Sequence, residues 1–208
     1  MENFFLFVVM SILLILLPGP DTAIATKNTL TVGRKGGLQT IVGTCSAILI
    51  HTLAAVIGLS AIIVKSAFLF TVLKYVGAVY LVYLGIKTLW AMKKNGLSTD
   101  SEIPTENKFE TNSCFKQGFL TNMLNPKVAV FFLTFLPQFV SPGTETFFPF
   151  IIMGVTYSIL TAIWFVCYVY LINQISTFMK KASTQKVIEG VTGAVLIAFG
   201  IKLAFEKA

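Results

Sequence analysis

The chain has 208 residues, of which 55% are hydrophobic and only 12% are charged, and its mean hydropathy is +0.81. A water-soluble domain of this length does not need so apolar a composition, so the sequence predicts an integral membrane protein. The net charge of +7 does not indicate nucleic-acid binding, because the basic residues lie between apolar segments and do not form one patch.

Six apolar segments follow one another along the chain. Four of them contain no Asp, Glu, Lys or Arg and are near or above the roughly 20 residues that cross a bilayer. These four are residues 3–20, 36–64, 128–144 and 146–179. Two further segments, 67–92 and 187–205, carry lysines inside or near their ends and are otherwise apolar. The sequence therefore predicts an all-α membrane protein with about six transmembrane helices.

Prolines interrupt the first predicted span at Leu17-Pro18-Gly19-Pro20-Asp21. Proline removes a backbone N–H and clashes with the preceding turn, so the helix should break here. Broken backbone at membrane depth requires surrounding protein or a water-filled cavity. Pro18, Gly19 and Pro20 are therefore expected to shape an opening. Asp21 is interpreted as the only acidic residue well inside a span.

His51 is the single histidine and lies in the second span, in a row spaced by four with Gly43, Ala47 and Ala55. Small residues at this spacing let helices pack closely, so the row is predicted to face the bundle. Histidine titrates near neutral pH, which suits proton coupling. The alternative is that His51 is a packing residue.

A polar segment, residues 95–113, divides the chain into a first half, 1–94, and a second half, 114–208. The halves share weak matches, among them Pro20-Asp21 with Pro126-Lys127, and Gly43 with Gly154. Three spans in each half is an odd number, so the second half must enter the membrane in the opposite sense. This predicts two inverted three-helix repeats within a single membrane domain.

The fourth span is interrupted at Asn125-Pro126-Lys127, which corresponds to the break in the first span. A charge at the centre of a membrane helix costs on the order of 3 kcal/mol, so Asp21 and Lys127 each need a partner or a cavity. One interpretation is a substrate site with one charge of each sign, in which Asn125 adds a neutral hydrogen bond and Pro126 shapes the backbone. The other is a structural ion pair between Asp21 and Lys127.

The basic residues predict the orientation of the chain. If the six spans alternate, eleven Lys and Arg fall on the side of the polar segment and four on the other, with Lys127 set aside as intramembrane. The positive-inside rule then assigns the polar segment to the cytoplasm and both termini to the outside.

Four stretches of this sequence resemble the lysine-exporter (LysE/RhtB) family of amino-acid exporters. They are LLPGPD at 16–21, the run 33–43, LKYVGAVYLVYLGIK at 73–87, and GFLTNMLNPKVAVFFLTFLPQF at 118–139. The resemblance implies a bacterial inner-membrane exporter of amino acids or their derivatives, driven by the proton motive force as an antiporter. Its partners would be a zwitterionic substrate and the lipid bilayer, and a homo-oligomer is left open. No catalytic residue, cofactor or metal ligand is expected.

Two other classes remain as alternatives. A metal-ion exporter or related small-solute exporter would want several intramembrane His, Asp or Cys ligands, and this chain offers one histidine and one well-placed acid. A membrane thiol-disulfide oxidoreductase would need cysteines at the helix breaks, where Asp21 and Lys127 stand. The 19 phenylalanines are assigned mainly to lipid-facing surface and none to a ligand.

Overall fold

The computed structural model describes residues 4–65, 67–94, 111–140, 146–172 and 181–205, and within these ranges the regular structure is entirely helical. The predicted all-α membrane fold is confirmed. Residues 95–110 of the predicted linker lie outside the described ranges. The helices in chain order are α1 (Phe4–Leu16), α2 (Pro20–Val32), α3 (Arg34–Lys65), α4 (Ala67–Lys94), α5 (Thr111–Met123), α6 (Pro126–Val130), a π-helical turn (Phe131–Phe135), a 3-10 turn (Leu136–Phe139), α7 (Phe147–Tyr170) and α8 (Ala182–Phe205).

Within the described ranges, two continuous helical segments are long and apolar enough to cross a membrane, Arg34–Gly58 of α3 and the whole of α7. Two bent pairs also qualify when each pair is taken as one broken span. The first pair is α1 with α2, and the second is α5 with the segment Pro126–Phe139. The total of six spans stays a prediction.

Both predicted helix breaks are present. The first pair bends by 54° and the second by 50°. Pro20 is the first residue of α2 and Pro126 is the first residue of α6. Proline fits the first helical position, because the N–H that it lacks would have no intrahelical partner there. Asp21 and Lys127 are therefore each the second residue of the half-helix that follows a break.

Glycines let α3 pack closely against α5 and α7. A Cβ atom at Gly43 would overlap the carbonyl oxygen of Phe115, and one at Gly118 would overlap the carbonyl oxygen of Thr40. On the other side of α3, a Cβ at Gly154 would overlap the side chain of Thr52. The row predicted to face inward is buried, since Ala47 and Ala55 are 0% exposed and His51 is 9% exposed. Helix α3 thus holds both the second break and α7 in place.

Helices α4 and α8 form another close pair. Added Cβ atoms at Gly85 and Gly200 would lie 2.6 Å from Ile197 Cγ1 and 2.8 Å from Val82 Cγ2, respectively, so neither position has room for a side chain. Gly85 and Gly200 begin the same three-residue sequence, Gly-Ile-Lys, in the two predicted halves, and both lie in this interface. This placement agrees with an inverted repeat, which stays a prediction.

A cluster of buried aromatic rings fills the space between α1, the π-helical turn and α7. Phe7, Phe135 and Phe150 are 0% exposed, and Phe131 and Phe132 are at most 2% exposed. The expectation that the phenylalanines mainly face lipid is wrong for this cluster. The wider π-helical turn brings Phe131, Phe132 and Phe135 onto the inner side, where the rings of Phe131 and Phe135 stack with centroids 4.7 Å apart.

Candidate substrate site at the two helix breaks

Lys127 reaches from the second break to the first. Its ammonium donates to the carbonyl oxygens of Leu14 at 3.0 Å and Leu17 at 3.3 Å. In a continuous helix the Leu14 carbonyl would accept from the amide of residue 18, but Pro18 has no N–H to donate. Lys127 therefore replaces a bond that the proline removes. A cation at this place also interacts favourably with the carboxyl-terminal end of the α1 dipole.

Asp21 reaches in the opposite direction, from the first break to the second. Its Oδ2 accepts from Asn125 Nδ2 at 2.8 Å and from Asn122 Nδ2 at 3.2 Å. A carboxylate can only accept, so it fixes both amides with nitrogen toward Asp21. Asn125 also accepts from the backbone N–H of Lys127 at 3.0 Å, which caps α6. Asn125 thus bonds to Asp21 and to the backbone of Lys127, and its predicted role in a substrate site stays a prediction.

Asp21 and Lys127 join the two breaks by hydrogen bonds to neutral groups. They do not form the direct ion pair that was one of the two interpretations of the sequence. In the described part of the chain, Asp21 is bonded to side-chain amides and Lys127 to backbone carbonyls. Each charge crosses to the opposite break, so the two bent spans are fastened reciprocally. Neither charge neutralises the other by direct contact.

Both charges line one cavity, to which α3 and α7 also contribute lining residues. Its polar lining residues are Asp21, Thr22, Asn122, Lys127, Tyr157 and Thr161. Its other lining residues are Leu14, Ile15, Leu17, Gly19, Ile48 and Phe165. Within the described residues this is a place where opposite charges, hydroxyl groups and an apolar wall meet at two interrupted helices. The lining therefore offers a negative group, a positive group and an apolar surface side by side.

The residues predicted to shape the breaks have different positions relative to the cavity. Gly19 lines it, and a Cβ added there would lie 3.6 Å from Lys127 Nζ. Gly19 has an extended backbone with φ −166°, which any residue can adopt, so its small size matters here and not its conformational freedom. Pro18, Pro20 and Pro126 are exposed and lie outside the cavity lining. Their contribution is the backbone geometry of the breaks.

His51 does not line the cavity, and Asn122 lies between it and Asp21. Its Nε2 is 3.4 Å from the carbonyl oxygen of Asn122, and its ring stacks on Phe132 with centroids 5.9 Å apart. The Asn122 carbonyl would normally accept from residue 126, which is proline. This carbonyl accepts from the backbone N–H of Asn125 at 3.0 Å, and His51 adds a second, longer contact to it. At the first break, by contrast, Lys127 itself supplies the donor for the Leu14 carbonyl. The link from His51 to Asp21 passes through Asn122.

A family model described as LysE type translocator matches residues 12–207 of this chain. The chain belongs to the LysE family of translocators. The match spans both helix breaks and every residue of the cavity lining. The protein is therefore a multi-pass membrane transport protein.

Relatives of this LysE family protein are similar over nearly their whole length. An uncharacterized membrane protein, YrhP, of Bacillus subtilis is 35% identical over 206 residues, which cover 97% of this chain and 98% of the relative. A leucine efflux protein of Salmonella typhimurium is 28% identical over 208 residues, covering 97% and 94%. A homoserine/homoserine lactone efflux protein of the same species is 27% identical over 206 residues, covering 99% and 98%. No solved structure matches the chain.

Four polar cavity residues of this LysE family protein are not predicted from the sequence: Thr22, Asn122, Tyr157 and Thr161. Asn122 stands four residues before Pro126, and that spacing is the signal that its carbonyl would need another donor. Tyr157 and Thr161 stand four apart on α7, so polar groups at helical spacing in an apolar span were a usable signal.

A further correction concerns the prediction that Asp21 is the only acidic residue well inside a span. That prediction follows because the last apolar segment is predicted to begin at residue 187. Helix α8 begins earlier, at Ala182, and Glu189 is 7% exposed within it. Glu189 is therefore a second buried acidic residue, and it is not among the residues that line the cavity.

Proposed function

We propose that this LysE family protein exports amino acids or amino-acid derivatives across the bacterial inner membrane, driven by the proton motive force. The observation that carries the proposal is that Asp21 and Lys127 line one cavity at the junction of two broken helices. A zwitterion presents one cation and one anion a few bonds apart. The cavity offers the complementary pair of charges.

Asp21 is proposed to bind the substrate ammonium, and Lys127 the substrate carboxylate. The ammonium of Lys127 has three protons, and the bonds to Leu14 and Leu17 use two of them. The remaining proton is available to a carboxylate. The first-turn amides of α2 add to this anion site, because helix geometry leaves them without intrahelical acceptors and the dipole favours negative charge there.

The named substrates of two relatives support the assignment to amino acids and derivatives. Leucine, homoserine and homoserine lactone differ in their side chains and in their carboxyl groups, but each carries an α-amino group. The shared feature would meet Asp21. The apolar wall formed by Leu14, Ile48 and Phe165 would face the variable part of the substrate.

Proton coupling is proposed to act at the cation side of the site. Protonation of His51, which is linked through Asn122 to Asp21, adds a positive charge close to the place of the substrate ammonium. Two cations compete for one carboxylate, so proton uptake on the acidic side of the membrane weakens substrate binding there. Proton and substrate would then occupy the carrier alternately, which is the requirement for antiport.

The two halves, 1–94 and 114–208, are proposed to be inverted repeats, with both termini outside and the 95–113 linker in the cytoplasm. Pro20-Asp21 and Pro126-Lys127 support the repeat, because each proline begins a half-helix and each following side chain bonds to the other break. An axis between the two breaks relates these positions. A substrate on that axis is accessible from either side by a rocking of the halves.

Transport by the purified protein tests the proposal. Vesicles containing the wild-type chain are loaded with a panel of radiolabelled amino acids, with and without an imposed pH gradient, and compared with empty vesicles and with Asp21→Asn vesicles. Selective movement that depends on the gradient and is lost in the variant is expected. If correctly inserted wild-type protein moves none of the amino acids, the proposed function is wrong.

A further inference from the structure

We propose that Asp21 Oδ1, Asn122 Oδ1 and Thr161 Oγ1 together form a subsite that selects a primary ammonium group over an N-alkylated one. This inference rests on the proposed function and goes further, because it adds Asn122 and Thr161 as specificity-determining residues. It also defines which amines the carrier rejects.

The three oxygens share one property. Each is buried and has no hydrogen-bond partner in the described part of the chain. Asn122 is 2% exposed and Thr161 is 3% exposed, and all three residues line the same cavity. Unpaired buried acceptors are uncommon because their desolvation is not repaid. Four other buried side-chain atoms in the described residues also lack a hydrogen-bond partner, but none of them belongs to a residue that lines the cavity. The three oxygens differ from these because they gather at one cavity, where a ligand would supply the partner.

The bonds already made fix which atoms remain. Asp21 Oδ2 accepts from both Asn122 and Asn125, which leaves Oδ1 as the other carboxylate oxygen. The amide of Asn122 cannot be reversed, because its oxygen would then face the carboxylate, so its Oδ1 stays unpaired. Thr161 adds a third oxygen from α7. One acceptor thus comes from each break and one from the helix that faces them.

Three acceptors match the three N–H groups of a primary ammonium. An N-methyl ammonium has only two N–H groups, so one acceptor would face a methyl group and stay unpaired. A buried acceptor without a partner is more unfavourable than the loss of one bond in water, since the group has also lost its solvent. The geometry therefore favours unsubstituted amino groups.

The test measures the affinities for leucine and N-methylleucine by competition in vesicles. Wild-type protein should bind N-methylleucine at least about tenfold more weakly, the loss expected for one bond to a charged group. Thr161→Val has the same shape without the hydroxyl, so it should bind leucine about tenfold more weakly and N-methylleucine nearly as before. The ratio of the two affinities should fall toward one.

Two further variants separate recognition from folding. Thr161→Ser keeps the hydroxyl and should keep the wild-type ratio. Thr52→Val removes a buried hydroxyl that donates to the Ile48 carbonyl at 2.9 Å and does not line the cavity, and it too should leave the ratio unchanged. A wild-type ratio near one, or an equal loss of both ligands in Thr161→Val, would overturn the inference alone. If wild-type protein binds neither these two ligands nor any other amino acid of the transport panel, the proposed function is wrong and the inference falls with it.

Discussion

Replacing Asn125 tests whether the two breaks depend on one another. Its side chain donates to Asp21 Oδ2 at 2.8 Å and accepts from the Lys127 amide at 3.0 Å. A hydrogen bond to a charged group is worth about 1.5–3 kcal/mol, and a helix N-cap about 1 kcal/mol. Asn125→Ala removes both, so the free energy of unfolding should fall by about 2.5–4 kcal/mol. Transport should fall too, because Asp21 loses one of the two amides that orient it.

Two further variants separate the contribution of the helix cap from that of the bond to Asp21. Asn125→Ser keeps a capping oxygen for α6 but is too short to bridge to Asp21, so it should recover about 1 kcal/mol without recovering transport. Asn28→Ala is the matched control, since Asn28 is 0% exposed, donates to Thr40 Oγ1 at 2.8 Å and does not line the cavity. It should cost about 1 kcal/mol and leave substrate affinity unchanged.

Thermal unfolding in detergent gives the stabilities, and uptake into vesicles with equal amounts of folded protein gives the transport rates. The reasoning is refuted if Asn125→Ala is no less stable than Asn28→Ala. It is also refuted if Asn125→Ser restores transport to the wild-type rate, because the bond to Asp21 would then have no part in the site.

Three other predictions concern the space in the cavity, the proton coupling and the orientation of the chain in the membrane. Gly19→Ala should fold normally, because its extended backbone accepts alanine, but the new methyl group 3.6 Å from Lys127 Nζ should weaken substrate binding in the vesicle assay. His51→Gln keeps a donor for the Asn122 carbonyl but does not titrate, so transport should continue while losing its dependence on an imposed pH gradient. In a background without the native cysteines, an impermeant thiol reagent applied to cells without an outer barrier should label Ser141→Cys, and should label Ser101→Cys only after permeabilisation.

For each of these three predictions, one result would contradict it. Unchanged affinity in Gly19→Ala would mean that the space beside Lys127 is not used by the substrate. Wild-type gradient dependence in well-expressed His51→Gln would leave His51 as a packing residue. Labelling of Ser101→Cys in intact cells would reverse the proposed orientation.

The sequence predicts the features of this fold that depend on local chemistry. The prolines at positions 18, 20 and 126 stand inside long apolar runs, where proline lacks the N–H that a continuing helix needs and clashes with the preceding turn, so a break is predictable there. A charged residue beside each break in an apolar span requires compensation. The inward face of α3 was predictable from the spacing of Gly43, Ala47 and His51, because close packing needs small residues at that interval.

The partners across the breaks were not predictable in the same way. Which carbonyl Lys127 bonds to depends on the side-by-side placement of two spans more than 100 residues apart, and no local pattern encodes it. The π-helical turn also depends on context, because nothing in the letters of Phe131–Phe135 distinguishes a widened turn from an α-helical one. That turn places aromatic rings in the interior of the protein, whereas composition alone assigned them to the lipid-facing surface.

The division of labour between the two charges is the central claim, and a set of three ligands of similar shape tests it most directly. Leucine has both charged groups, 3-methylbutylamine keeps only the ammonium, and 4-methylpentanoate keeps only the carboxylate. Their affinities are measured by competition in vesicles for wild-type protein, Asp21→Asn and Lys127→Gln. The account predicts that Asp21→Asn binds the amine and leucine more than about tenfold more weakly than wild-type protein does, with little change in its affinity for the acid. It predicts that Lys127→Gln loses affinity for the acid to a similar extent, with little change in its affinity for the amine. Equal losses for all three ligands in both variants, or no loss in either, would contradict it.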